Sequence, residues 1–273
     1  MSYGESVARI GVFAYRALKT VAIFAAVLIG GALDAAAQQR LAQPRDFTHT
    51  YQAEVLAPDA FQFRQWVTWR TSKGTDAVYD YFGFRHELIY GLTHDWQLSL
   101  FLSDWYYEKT DAGETQETKW KDVAAQTVYV LSDPATDWIG SALNAEVAGG
   151  NDFLELQAKL VLQTDIMDVL TLAYNAGVAA QWDGSIEPKD RGEFEQSFGV
   201  SCQVHPNFAL GLELLHQIGF PGWEDSDDPL FYLGPVLTAR NKIWWVTIAP
   251  LFQTTNVDAE PEFQVRLLAG IDL

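Results

Sequence analysis

The sequence predicts an all-β protein, a transmembrane antiparallel up-and-down β-barrel of about 12 strands that follows a cleaved signal peptide. Three observations carry that expectation. Segments of about ten residues or more alternate apolar and polar side chains, the period of a strand with one greasy face and the length that crosses a tilted bilayer path. The links between them alternate between short and long, and the long ones are rich in Asp, Glu, Gly and Pro. Aromatic residues gather at segment ends, where strands meet lipid headgroups.

Residues 1–37 have the pattern of a secretory signal peptide. Arg9, Arg16 and Lys19 precede an apolar run over 21–33, and Ala35, Ala36 and Ala37 supply the small residues of a cleavage site. The run is too short for a membrane anchor. No later apolar run approaches the length of a membrane helix, and only a closed barrel satisfies its backbone in lipid without helices. Residues 38–60 form an N-terminal segment. Its stretch 46–55 is extended in pattern, but a thirteenth strand would make an odd count, so it is placed in the lumen or on the periplasmic rim.

The barrel itself is expected over 61–273. Its first five strands are read at 61–70, 77–90, 96–107, 120–131 and 138–147. The sixth, 153–163, is the clearest: Leu154, Leu156, Ala158, Leu160 and Leu162 alternate with Glu155, Gln157, Lys159 and Gln163. Strands at 170–182, 193–205, 208–220, 230–240, 243–253 and 262–273 complete the set. The short links 91–95, 132–137, 165–168, 206–207 and 240–242 read as periplasmic turns, and 71–76, 108–119, 183–192, 221–228 and 254–261 as external loops. The link 149–151 is short where an external loop is expected. Pro235 and Pro250 fall inside strands; a closed barrel has no edge to receive them, so local bulges are expected there.

Candidate girdle residues are Tyr90, Trp96, Trp138 and Trp244 near the turns, and Tyr79, Trp105, Tyr106, Trp120, Trp182, Phe220 and Tyr232 near the loops. Strand parity turns Arg85, Glu87, Glu146, Glu155, Lys159, Glu195, Glu213 and Arg266 inward. Confined charges of both signs either fill a narrow interior as an ion-pair network or line a selective path. A twelve-strand barrel lies between packed and water-filled sizes, so strand number does not decide between them.

Acidic residues outnumber basic ones, 36 to 18, for a formal net charge of −18, a surface that repels nucleic acid. The lone Cys202 excludes an intrachain disulfide and, on an apolar face, is expected to be buried. His49, His86, His94, His205 and His216 are scattered, parity puts His86 and His216 on outward faces, and no GxSxG, HExxH or phosphate loop occurs, so no catalysis and no cofactor are expected. The loop 223–228 carries enough carboxylates for calcium but lacks the ordered spacing and turn glycine of a calcium loop, so no metal site is assigned.

The segments RHELIYGLTHDWQLSLFL (85–102), LSDPATDWIGSALNAEVAGG (131–150), FLELQAKLVLQ (153–163) and FALGLELLHQ (208–217) resemble an uncharacterised family of Gram-negative outer-membrane barrels. That family is itself similar to the outer-membrane barrels of the meta-pathway of phenol degradation. The resemblance implies outer-membrane location and passage of small molecules. The last strand keeps the alternation from Phe263 to Ile271 that such barrels show, but ends on Leu273 where they end on an aromatic. The expected function is a monomeric passive channel or transporter for small solutes, its partners outer-membrane lipid, lipopolysaccharide and the barrel-insertion machinery. The alternatives are a structural barrel with a blocked lumen and a periplasmic lipocalin-like binder.

Overall fold

The computed structural model describes residues 44–110, 117–151, 153–167, 169–184 and 190–273; the expected signal peptide lies outside the described residues. Among the described residues there are twelve strands: β1 (Phe61–Lys73), β2 (Asp76–Gly91), β3 (Trp96–Lys109), β4 (Glu117–Ser132), β5 (Gly140–Gly150), β6 (Phe153–Ile166), β7 (Leu170–Asp183), β8 (Arg191–His205), β9 (Phe208–Pro221), β10 (Leu230–Arg240), β11 (Trp244–Gln253) and β12 (Pro261–Asp272). Each pairs antiparallel with its chain neighbours, and β1 pairs with β12 in one unbroken register, Phe63 opposite Ile271 and Lys73 opposite Pro261. The sheet is therefore a closed up-and-down barrel without a free edge.

The alternation separates an outer apolar face from an inner polar one. Leu100, Leu102 and Leu212 are more than half exposed although they sit within strands, at 53%, 54% and 56%. Their neighbours across the pleat, Ser99, Phe101 and Glu213, are buried. A soluble sheet would turn the leucines inward, so this inside-out pattern is that of strands solvated by lipid. Cys202 follows it: it is exposed on the outer face, because the apolar face of a barrel is the outside.

Strand ends run slightly beyond the periodic segments. The hairpin between β1 and β2 tightens to residues 74–75, with Ser72 in the left-handed region at φ 61°, so 71–76 is not a long loop. Trp138 precedes β5 and lies in the turn, 95% exposed. The expected bulges at the two prolines are absent. Pro235 and Pro250 face each other across β10 and β11, where pairing lapses between Leu233↔Phe252 and Leu237↔Ile248 and resumes without a register shift. Each proline lacks the donor that the other's strand would have used, so one shared gap replaces two bulges. Gly234 fits that gap, since a Cβ there would stand 1.8 Å from the Pro250 carbonyl oxygen.

Candidate functional site

Residues 44–60 are the site, because they lie inside the barrel and leave it by a turn at the start of β1. Asp59 adopts φ 62°, donates its backbone N–H to the Gly91 carbonyl, and accepts from the Tyr90 hydroxyl. A Cβ on Gly91 would lie 2.1 Å from the Ala57 carbonyl oxygen, so the glycine lets the segment pass close to β2.

An extended segment that joins no sheet must find partners for its backbone elsewhere. Here the barrel wall supplies them as side chains. The Glu213 carboxylate accepts from the backbone N–H groups of Thr48, His49 and Thr50 at 3.0, 2.7 and 2.6 Å and from the Thr48 hydroxyl at 2.7 Å. Asn175 accepts from the Tyr51 N–H and donates to the Tyr51 carbonyl; Gln163 accepts from Ala53, and Gln97 from Leu56. Six backbone amides of the segment are thus held by four side chains from β3, β6, β7 and β9. Thr247 and Thr238 donate to the carbonyls of Arg45 and Asp46.

Packing adds to this tethering. Phe47 is fully buried among Leu215, Tyr232 and Leu251, in a seat opened by Gly199, where a Cβ would stand 2.5 Å from the ring. Arg45 stacks over Tyr51 at 3.9 Å and Trp66 at 4.9 Å while donating to the carbonyls of His49 and Thr50. Burial, with Glu54 second, pushes the Asp46 carboxyl up to about 6. Burial and the Arg266 guanidinium hold His49 well below the usual imidazole range. Neutral His49 can then accept from Arg266 through Nδ1.

The eight inward charges all face this interior, in separate groups. Arg85 bridges Asp104, at 2.7 Å, and Glu146, which also accepts from Gln126. Lys159 pairs with Glu195 at 2.8 Å. Glu87 accepts from the Trp66 indole at 2.9 Å, with Arg64 at 4.0 Å. Glu213 and Arg266 hold the segment, and Glu155 lines a cavity on its loop side. Asp104 was not anticipated, because an irregular register between Phe101 and Asp104 reverses the parity of β3. Asp122 falls inside the predicted strand 120–131, but a second irregularity between Asp104 and Trp105 leaves Trp120 outward and turns Asp122 inward, against simple alternation. Gln97, Gln163 and Asn175 carry no charge to mark them among other wet-face positions.

Of the girdle candidates, Trp96, Trp120 and Trp182 are exposed on the outer face, and Tyr90, Trp105 and Trp244 share outward positions and are part-buried. Trp138 belongs to a turn. Tyr79 and Tyr232 are buried inside, at 6% and 3% exposure, and Tyr106 stacks on inward Tyr81, so these three are not girdle residues. His86 bonds Gln65 and His216 bonds Gln196 on the outer face, far from one another in the strand order.

The segment leaves two spaces. One, about 30 Å³, lies between Arg45, Tyr51, Glu54, Arg64 and Gln97. The other, about 180 Å³, lies among the loop-side halves of β1–β6 and β12. Among the described residues no three His, Cys, Asp or Glu side chains are grouped to hold a metal ion.

A family model described as "Family of unknown function (DUF6662)" matches residues 39–260. No curated protein matches the chain. Solved structures that are similar include the NanC porin, at TM-score 0.53 and 10% identity over 77% of this chain and 100% of that one. The β-domain of the Bordetella autotransporter BrkA is similar at TM-score 0.53 and 9% identity, over 78% of this chain and 98% of that one. At such identities the likeness is one of fold, a closed barrel of the outer-membrane type.

Proposed function

We propose that this chain, which belongs to the DUF6662 family of unknown function, is an outer-membrane channel for small solutes that its own N-terminal segment keeps shut. The observation that supports it is the set of six amides of residues 48–56 bound by Glu213, Asn175, Gln163 and Gln97. A wall built only to be filled could close on its own ion pairs. This one instead presents acceptors matched to a particular stretch of backbone, as a removable stopper requires. The resemblance to the meta-pathway phenol-degradation barrels is consistent with passage of a small molecule. Lipopolysaccharide at the acidic loops and the insertion machinery at the last strand complete the partners of this reading.

Liposome swelling tests it. Vesicles carrying the intact barrel should stay silent in a small neutral sugar, and those carrying a deletion of 46–55 should swell. A silent deletion variant that still folds would favour the alternative, a structural barrel that its charge network closes by itself.

A further inference from the structure

The cavity of about 180 Å³ on the loop side of the segment has a polarised wall. Arg266 of β12 and Arg70 of β1 stand on one arc, while Asp104 of β3, Asp122 of β4, Glu146 of β5 and Glu155 of β6 follow on the other, with Arg85 of β2 at the seam and Lys121 of β4 beside Asp122, so that four carboxylates face two cations on that arc. Arg85 is committed to Asp104 and Glu146. Neither Arg70 nor Arg266 has a carboxylate within ion-pair distance among the described residues; each guanidinium lies over an aromatic ring, Tyr81 at 5.4 Å and Trp66 at 5.0 Å.

On the acidic side, Asp104 meets Arg85 through Oδ2 and Asp122 meets Lys121 through Oδ2 at 3.4 Å. The two carboxyl groups lie within hydrogen-bond reach of each other, with their Oδ1 atoms buried and facing no N–H donor, and Nε of Arg266 is likewise buried without a partner. Asp104 and Asp122 are 7% and 1% exposed, and both line the cavity. Buried charged groups whose hydrogen-bonding capacity is unfilled carry a desolvation cost, which a complementary guest would relieve.

We propose that this cavity binds a small zwitterion, its anionic end against Arg70 and Arg266 and its cationic end against Asp104 and Asp122. A simple anion would answer one arc and a simple cation the other; only a molecule bearing both charges answers the two together. The volume suits a molecule of amino-acid size rather than an oligosaccharide. Because the cavity lies on the loop side of the N-terminal segment, the guest would arrive from outside the cell, and its binding does not require the segment to move.

The inward-facing Trp66 lines the cavity, so intrinsic fluorescence and calorimetry of the folded full barrel in detergent both report on it. The probes are β-alanine, γ-aminobutyrate and 6-aminohexanoate, a ruler of charge separation, against n-butylamine and butyrate. At least one ω-amino acid should bind at least about tenfold more tightly than either singly charged control. Arg70→Gln and the isosteric Asp122→Asn, each checked for folding by heat-modifiable gel mobility, should each lower that affinity by at least about tenfold. No ω-amino acid binding better than the controls would overturn the proposal, whatever the variants do. So would folded variants that bind like the parent.

Discussion

Glu213→Ala is expected to unseat the N-terminal segment while leaving the barrel folded. The Glu213 carboxylate is fully buried and accepts four donors from three consecutive residues, 48–50. Alanine leaves three backbone N–H groups facing no acceptor, and hydrogen bonds to charged groups contribute about 1.5–3 kcal/mol each. Because the four bonds converge on one group and are not additive, the hold on the segment should weaken by about 4 kcal/mol. The three remaining anchors bind one amide each, and Phe47 supplies the main apolar contact. Limited proteolysis should therefore cut within 44–60 in the variant and not in the parent, and variant vesicles should swell. Glu213→Gln, which keeps one acceptor oxygen but no charge, should fall between them. Parent-like resistance in Glu213→Ala would mean that the carboxylate is dispensable to the seat.

Arg85→Ala should act on the barrel itself. The guanidinium bridges Asp104 and Glu146 and covers the Phe101 ring at 3.5 Å. Removing it strands two buried carboxylates on adjacent parts of the wall, and breaking a buried pair by deleting one partner costs about 3–5 kcal/mol. Arg85 keeps 24% of its side chain exposed, so the lower end of that range is expected. Urea unfolding in lipid vesicles measures it. Arg85→Lys should recover only part of the loss, since one ammonium cannot fork between the two acids. A change below about 1 kcal/mol in Arg85→Ala would show that water screens the cluster.

Much of this architecture was legible in the residues, for a physical reason. A period of two over ten residues has few other uses than a strand with lipid on one side, and Leu154 to Leu162 carry it without interruption. Parity likewise turned the eight charges inward. Parity fails where the ladder slips, as at Leu102 on β3, and so Asp104 could not be seen. The gap shared by Pro235 and Pro250 depends on their facing each other across two strands, which separation along the chain does not show.

The path of residues 44–60 was harder to see. Their extended pattern fitted either lumen or rim, and their partners Gln97, Gln163 and Asn175 are uncharged residues that any wet face could carry. Parity marks Glu213 as an inward charge, but nothing local distinguishes a carboxylate that receives a chain from one that pairs with a cation. The signal would be an acidic residue on the polar face with no basic residue within reach of it, which requires the register of three strands to recognise.

Amide hydrogen exchange on the intact protein in lipid nanodiscs tests most directly whether residues 44–60 occupy the lumen. The amides of Thr48, His49, Thr50, Tyr51, Ala53 and Leu56 are each bonded to the wall, so they should exchange as slowly as amides in the middle of β6 and β7. Exchange of those six at the rate of an unstructured tail, while the strands stay protected, would contradict the account.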